Sequence, residues 1–341
     1  MEFNIIKDTQ TWDNIEPEWN RLMQKCASRV PFLEHAYLKA WWTTRGGGEW
    51  NPDQTQLQII TAEQDGHLVG IAPFFKGQNR QDQPSLMFLG CVEVSDYLDF
   101  IVSAGDLPEF IPALLEYLKL VDDPAFKLLD LYNLPDATPS IPLLQQGAQS
   151  TGWNFTLEKL QSSPYITLPG DWETYLANLD KKQRHEIRRK LRRVDEESET
   201  SWYFVTEPKA LESETRAFLD MMALDPEKKA FLTQLMQDHI LNTTQLAMTH
   251  GWLHLAFLKI NAQKAAAYLS FQYDQRLWIY NSAWNLQFAQ YSPGWILLAK
   301  IVQWGMENGI NELDFMRGDE SYKYKFGGVD RFVMQARLQR D

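Results

Sequence analysis

Near its C-terminal end the chain gathers a cation, a glycine, two carboxylic acids, a serine, a lysine and two tyrosines into the eight consecutive residues Arg317 to Tyr324. They follow Leu313-Asp314-Phe315-Met316, a short run with the composition of a strand. The C-terminal end of a strand is where α/β sheets place ligand chemistry. The same residues also suit a plain polar loop before a final strand, RFVMQARL, and composition does not separate the two readings. Asp314, set between apolar neighbours, reads as a structural carboxylate at a strand end.

A second concentration of chemistry is cationic. Lys181 to Arg193, KKQRHEIRRKLRR, holds eight Lys/Arg and one Glu, a local charge of +7. Arg184, Arg188 and Arg192, one helical turn apart, offer guanidinium forks to a phosphate-bearing ligand. The plainer reading is a solvated face offset by the acidic DEESE that follows. Nothing else in the chain is basic, so nucleic acid fits less well, although a tRNA-borne substrate stays open. Of the six histidines only His250 and His254 have ligand spacing, and they straddle Gly251 at a strand start, so no metal is expected. Cys26 and Cys91 form neither a disulfide framework nor a metal spacing, and Cys91 reads as a buried structural thiol. P-loop, nucleophile-elbow and dinucleotide fingerprints are missing.

These residues need elements to hold them. With 341 residues, 44% hydrophobic and 23% charged, the chain has ordinary globular composition and room for about two domains. Its 13 Trp point to large aromatic cores. The net charge of −12 is a body of −19 carrying the +7 helix. No stretch approaches a membrane span or a signal peptide, so a cytoplasmic location is expected. Two halves share one plan. Leu57 to Phe75 reads strand, turn at Gln64-Asp65-Gly66, strand; Leu253 to Phe271 repeats it with a turn at Asn261-Ala262-Gln263. A third strand, Arg276 to Trp284, follows the second hairpin. Each half then has an apolar helix (Phe110 to Val121, Trp295 to Gly309) leading into a short strand with an acid, Asp130 or Asp314. Trp12 to Met23 and Pro31 to Trp42 read as helices, the second ended by Gly46-Gly47-Gly48. Pro135 to Pro142 reads as a loop, and Asp171 as an N-cap just after a boundary near Leu168-Pro169-Gly170.

Taken in order, the hairpin, the strand ending YNSAW, YSPGWILLAKIVQWGMENG and LDFMRGDESYKYKFG resemble the CelD-like branch of the GNAT acyltransferase superfamily. That branch is close to the FemABX peptidyltransferases, which also carry two GNAT-like copies. PFLEHAYLKAWW, FLGCVEVSDYLDFIV and the arginine-rich helix fit the same pattern. The resemblance spans most of the chain and is most specific at GDESYK and the upstream YSPG. It implies an α/β fold of two tandem GNAT-like acyltransferase units, each a mixed, mostly antiparallel sheet flanked by helices. Residues 1–168 would be the scaffold or acceptor side and 169–341 the acyl-donor side.

The activity implied is acyl transfer from acyl-CoA, first of all acetyl-CoA, to an amine or hydroxyl of a small molecule or cell-envelope or polysaccharide precursor, without metal or DNA. The alternatives are a FemABX-like transferase using aminoacyl-tRNA, or a degenerate binding protein of the same fold. The long helical hairpin that FemABX enzymes insert for tRNA is not visible. In such folds two central strands splay, the thioester lies between them, and the next helix N-terminus faces the pyrophosphate. Here that turn is Gln290 to Trp295, with Ser292 as cap, Pro293 in the first turn, and Gly294 and Trp295 beside the cofactor together with Arg184 and Arg188. It departs from the usual glycine-rich loop and offers a phosphate fewer backbone N–H groups. In the first copy, Asp106 and Glu109 occupy the matching place, so if only one copy is competent, it is the second. Transfer needs a base, donors for the oxyanion and an acid for the thiolate. Tyr322 and Tyr280 are the acid candidates, Lys323 the stabilising cation, and Asp319 and Glu320 the bases. Asp96, Tyr97 and Asp99 of the first copy, with Arg317, are candidates for the acceptor side.

Overall fold

The computed structural model describes residues 1–340. The chain forms two compact units. One comprises Met1–Gln161 and the C-terminal segment from Arg331, the other Ser162–Asp330. The crossing therefore comes at Ser162, a few residues before the expected 168/169 boundary, and the last strand returns to the first unit. Its place explains why: it pairs antiparallel with a strand of the first unit from Val333 opposite Pro135 to Gln339 opposite Leu128.

The strands in chain order are β1 (Glu2–Ile6), β2 (Gln56–Gln64), β3 (His67–Gln78), β4 (Pro84–Phe88), β5 (Ile101–Val102), β6 (Leu128–Pro135), β7 (Asn154–Ser162), β8 (Tyr165–Thr167), β9 (Thr200–Phe204), β10 (Leu253–Ile260), β11 (Gln263–Tyr273), β12 (Arg276–Trp284), β13 (Glu312–Asp314) and β14 (Phe332–Gln339). The first sheet runs β1-β2-β3-β4-β6-β14-β7, with β5 also on β3; the second runs β8-β13-β12-β11-β10-β9. Each is mixed. The pairs β4–β6 and β12–β13 are parallel, each closed by a helix crossing between them, and both hairpins are antiparallel. The hairpin turns are two residues long. Asp65 and Gly66 both take positive φ, as do Asn261 and Ala262, the backbone that matches the twist of the strands they join.

Most elements lie where periodicity puts them. The third strand of the second hairpin is Arg276–Trp284, and the two crossing helices are Leu107–Lys119 and Pro293–Glu307. Asp171 caps its helix through Thr174 N at 2.8 Å. The opening helix is broken in two, Thr9–Asn14 and Glu16–Met23. The proline-rich loop is shorter than expected: a helix starts at Ser140, because Pro142 falls in its first turn, where no intrahelical N–H bond is lost. The basic helix runs on through the acidic stretch, Lys181–Glu197.

The core of the first unit is aromatic, with Trp12, Trp19, Trp41, Phe74, Phe75, Phe88, Phe100 and Phe110 fully buried. Between β4 and β5 the chain makes a long buried excursion, residues 89–100, which enters the sheet interior instead of leaving a gap. Leu98 N bonds the Asn133 carbonyl of β6 at 2.9 Å, and the Asn133 amide reaches back to Val92 O and Ser95 O at 2.8 and 2.7 Å. The second unit's core is aliphatic, built from Leu176, Ile187 and Val194 below and Leu258, Leu277, Ile296, Leu297, Ile301 and Leu313 around the sheet. Both cysteines are buried and unpaired, and burial pushes the Cys26 thiol up to about 12 and the Cys91 thiol well above its usual range.

Two outcomes follow from this packing. A chain ending at Asp330 lacks β14 and leaves β6 and β7 without their shared partner; calorimetry of that truncation is expected to show loss of the first unit's transition while the second unit's persists. His239 is fully buried on the helix Gln234–Thr249, and burial lowers its pKa to about 4. A folded-state value below the unfolded one means stability lost as pH falls from about 6.5 to about 4, at roughly 3 kcal/mol for this one group. Urea titrations at pH 7 and pH 4 should show that loss, and His239→Gln should reduce it.

Candidate active site

Strand β12 pairs with β13 only over Arg276–Trp278 against Glu312–Asp314. Beyond this its backbone runs on to Trp284 without a strand on that side among the described residues, while β11 stays paired with it to Ala266. A register shift sets Leu269 opposite Asn281 but Ser270 opposite Ile279, so Tyr280 is the extra, bulged residue. Bulges bend a strand and strengthen its twist, and here the bend comes where β12 leaves β13. The parted strands open a cavity of about 290 Å³. Its walls are Tyr268 of β11, Ser282, Ala283 and Trp284 of β12, Ala289 and Ser292 of the following turn, Pro293, Gly294 and Trp295 of the helix start, and Tyr322.

The turn before the helix Pro293–Glu307 departs from a standard cap. Ser292 is left-handed, φ 54°, and its hydroxyl makes no capping bond. In that conformation its carbonyl, rather than its side chain, accepts from Trp295 N and Ile296 N, at 3.0 and 3.2 Å. Pro293 brings no N–H, and a Cβ on Gly294 would meet nothing within 4 Å, so the helix start borders open space at its positive end.

The cations beside this helix start are not the ones expected. Arg188 is paired with Glu173, and Arg184 reaches the Ala177 carbonyl at 3.4 Å. Arg189 and Lys190 share Glu186, while Arg192 and Arg193 lie within 3.9 and 3.0 Å of Glu196 and Glu197. Much of the +7 is thus neutralised along the helix. Lys190 and Arg193 nevertheless face the turn. The Lys190 ammonium lies 3.9 Å from the Trp295 ring centre, with Lys325 at 5.8 Å from the same ring. Arg193 bonds Gln290 O at 3.2 Å and sits 5.9 Å from the Tyr291 ring. Lys190 was legible in principle, since it stands three residues after Ile187 and four before Val194, on the buried stripe.

The Arg317–Tyr324 segment divides sharply. Tyr322 lines the cavity with its ring edge-on to Phe315 at 6.1 Å, and its hydroxyl has no hydrogen-bond partner among the described residues. Burial, with Tyr268 and Glu320 close by, raises its pKa well above the ordinary phenol value, so the phenol stays protonated. Lys323 points the other way. It is 2% exposed and donates to the carbonyls of Met316, Arg317 and Gly318 at 3.0, 2.8 and 3.1 Å, with Glu320 at 2.9 Å. It clamps the loop and has no donor left for a reacting oxygen. Gly318 permits the clamp: its φ is 113°, and a Cβ there would sit 2.4 Å from the Glu320 carboxylate. Asp319 is exposed beside Tyr324, which bonds Asp330 at the surface; Glu320 is the acid that acts on Tyr268 and Tyr322. Tyr280 is half-buried against Phe271 at 5.3 Å, and Arg317 is half-buried with its carbonyl on Lys323. Asp314 is fully buried and turns the chain through Met316 N at 2.7 Å.

The first-unit candidates lie in its interior. Tyr97 and Asp99 are each 1% exposed, and Asp96 is buried. Asp99 accepts from Ser28, Thr138 and Phe100 N, and burial still raises its pKa, an effect these bonds offset only in part. These groups tie residues 89–100 into the fold and offer no open surface to an acceptor. His254 packs between Phe204 and Trp304, each ring 4.8 Å away, and no group of His, Cys, Asp and Glu suited to a metal occurs among the described residues.

No protein of curated function matches the sequence. Residues 181–324 match the acetyltransferase (GNAT) domain family. Over whole chains the fold is similar to that of FemX, at 12% identity, covering 98% of this chain and 97% of that one, with a TM-score of 0.65. It is also similar to a conserved protein of unknown function from Bacteroides thetaiotaomicron (11% identity, 99% and 100% covered, TM-score 0.63). A tandem GNAT protein from the clavulanic acid biosynthesis pathway aligns at 11% identity over 98% of each chain, with a TM-score of 0.50. Residues 181–324, inside the second unit, thus match a GNAT acetyltransferase domain, and the chain as a whole is similar in fold to FemX and to a tandem GNAT protein.

Proposed function

We propose that the protein is an acyltransferase that takes an acyl-CoA, in the first place acetyl-CoA, into the cavity of its second unit and passes the acyl group to an amine or hydroxyl. The observation that carries this reading is the parting of β12 from β13, which opens a cavity between a free strand edge, a helix start and an unpartnered phenol. A thioester lying along β12 has its phosphates near the start of the helix Pro293–Glu307. Lys190, Lys325 and Arg193 gather there, and the helix's positive end adds to their attraction for an anion.

In this reading Glu320 takes the proton of the attacking acceptor as its nitrogen or oxygen bonds to the thioester carbon. The carbonyl oxygen becomes the oxyanion, and when the carbon–sulfur bond breaks the Tyr322 hydroxyl donates to the departing sulfur. A phenol kept protonated by burial is a donor throughout the neutral range. The first unit, whose corresponding space is filled by residues 89–100, serves as scaffold. The pairing of most cations of the basic helix with glutamates supports a small phosphate ligand over a tRNA backbone.

Isothermal titration with CoA and acetyl-CoA, and turnover of acetyl-CoA with a panel of amines and alcohols, test the reading. Lys190→Ala with Lys325→Ala is expected to weaken CoA binding about tenfold, at roughly 1.4 kcal/mol, while Arg188→Ala changes it little. Tyr322→Phe is expected to lower kcat about 10²-fold and leave CoA binding intact. Lys323→Met should instead cost stability, about 3 kcal/mol, seen as a lower Tm. A protein that binds no CoA ester, or one stabilised only by aminoacyl-tRNA, would overturn the acyl-CoA assignment.

A further inference from the structure

The short helix Pro226–Phe231 has an inverted pattern. Its other residues are exposed, and the one half-buried position is a lysine, Lys228. Its ammonium reaches β12 just past the bulge. It donates to Asn281 Oδ1 at 3.2 Å and, at closer range, to the Ser282 carbonyl. Asn281 Oδ1 in turn accepts from Ser282 N at 2.8 Å. Both backbone groups of Ser282, a wall residue of the cavity, are therefore satisfied by side chains. This is the stretch of β12 that has lost β13, where an unpaired, partly buried carbonyl is costly. Asp225 and Glu320 are the acids that act on Lys228 electrostatically, and neither forms an ion pair with it.

We propose that Lys228 is a positioning residue for acyl transfer. It takes the place of the missing strand at Ser282, fixing the free edge of β12 so that the cavity keeps the width a thioester needs. An apolar side chain would anchor the helix more cheaply than a desolvated ammonium, but would leave the Ser282 carbonyl without a donor. The proposal deepens the acyl-transfer reading and rests on it for its kinetic arm only.

The test compares Lys228→Met, which keeps length and loses the donors, with Lys228→Arg, which keeps donors and charge. Amide exchange followed by mass spectrometry reads the segment 279–285 without any substrate. Lys228→Met is expected to speed its exchange about tenfold while exchange elsewhere in the second unit stays as in the parent, and Lys228→Arg should restore protection. With acetyl-CoA and an amine accepted by the parent protein, Lys228→Met should lower kcat about 10²-fold with KM for acetyl-CoA within about threefold, and Lys228→Arg should recover most of it. Unchanged exchange at 279–285 in Lys228→Met overturns the proposal. So does a global rise in exchange in both variants, or a rise in KM with kcat preserved. If the parent protein turns over no acyl-CoA while Lys228→Met still frees the segment, the acyl-CoA reading falls and the role of Lys228 in holding β12 stands.

Discussion

A backbone carbonyl that leaves a sheet must find another donor, and the second unit is organised around that requirement. β12 abandons β13 after Trp278, yet it stays in the interior long enough to line a cavity. The bulge at Tyr280 supplies the bend, and Asn281 with Lys228 supplies the hydrogen bonds. On the other arm, β13 ends at once: Asp314 turns the chain through Met316, and Lys323 gathers three successive carbonyls of the loop that swings away. One buried and one half-buried lysine thus do on the two arms what a sheet partner would have done. One faces the loop and the other the strand, and the phenol of Tyr322 stands between the parted elements.

The first unit shows the alternative solution to the same topology. It too has a hairpin, a parallel pair and a crossing helix. There the pairing of β4 with β6 is confined to Leu86 opposite Leu129, but the space is occupied by the chain itself. Residues 89–100 bring Asp99 inside, where hydroxyl and amide donors replace water around the carboxylate, and Asn133 bonds the carbonyls of the excursion. A carboxylate so enclosed organises its surroundings and cannot also serve an incoming amine. The acids of the SDYLD segment are therefore part of the filling.

Much of this architecture was legible because it rests on short-range patterns. Alternation, turn residues and helical spacing located the hairpins, the third strand at Arg276–Trp284 and the crossing helices, and the order of those elements carried the resemblance to tandem GNAT-like proteins. Tyr322 and the turn at Ser292–Trp295 line the cavity because they follow directly on those elements. Side-chain direction within a polar run was not legible. Lys323 and Tyr322 are neighbours with opposite fates, because a left-handed Met316 and Gly318 rotate the loop in a way no composition records. Charge counts misled in a different manner. The +7 of the basic helix is a sum, and glutamates pair even with Lys190 and Arg193, so those two are marked out by what else they face, the Trp295 ring and the Gln290 carbonyl.

In the proposed reading, that selection is what lets a strongly acidic chain attract an anion at one place. Lys190 and Lys325 lie over the same indole, and burial lowers the Lys190 pKa despite the opposing pull of Glu186. Lys190 already shares Glu186 with Arg189, and the face of the Trp295 ring adds its own attraction for both ammonium groups. Trp295 belongs to the first turn of the helix whose N-terminus borders the cavity, so the cations, the helix end and the open strand edge meet within one turn of chain. In the proposed reading a phosphate there is attracted by both ammonium groups at once, more strongly than by either one alone. A local field of this kind decides what the surface binds, and the net charge of the whole protein bears mainly on solubility and the rate of encounter.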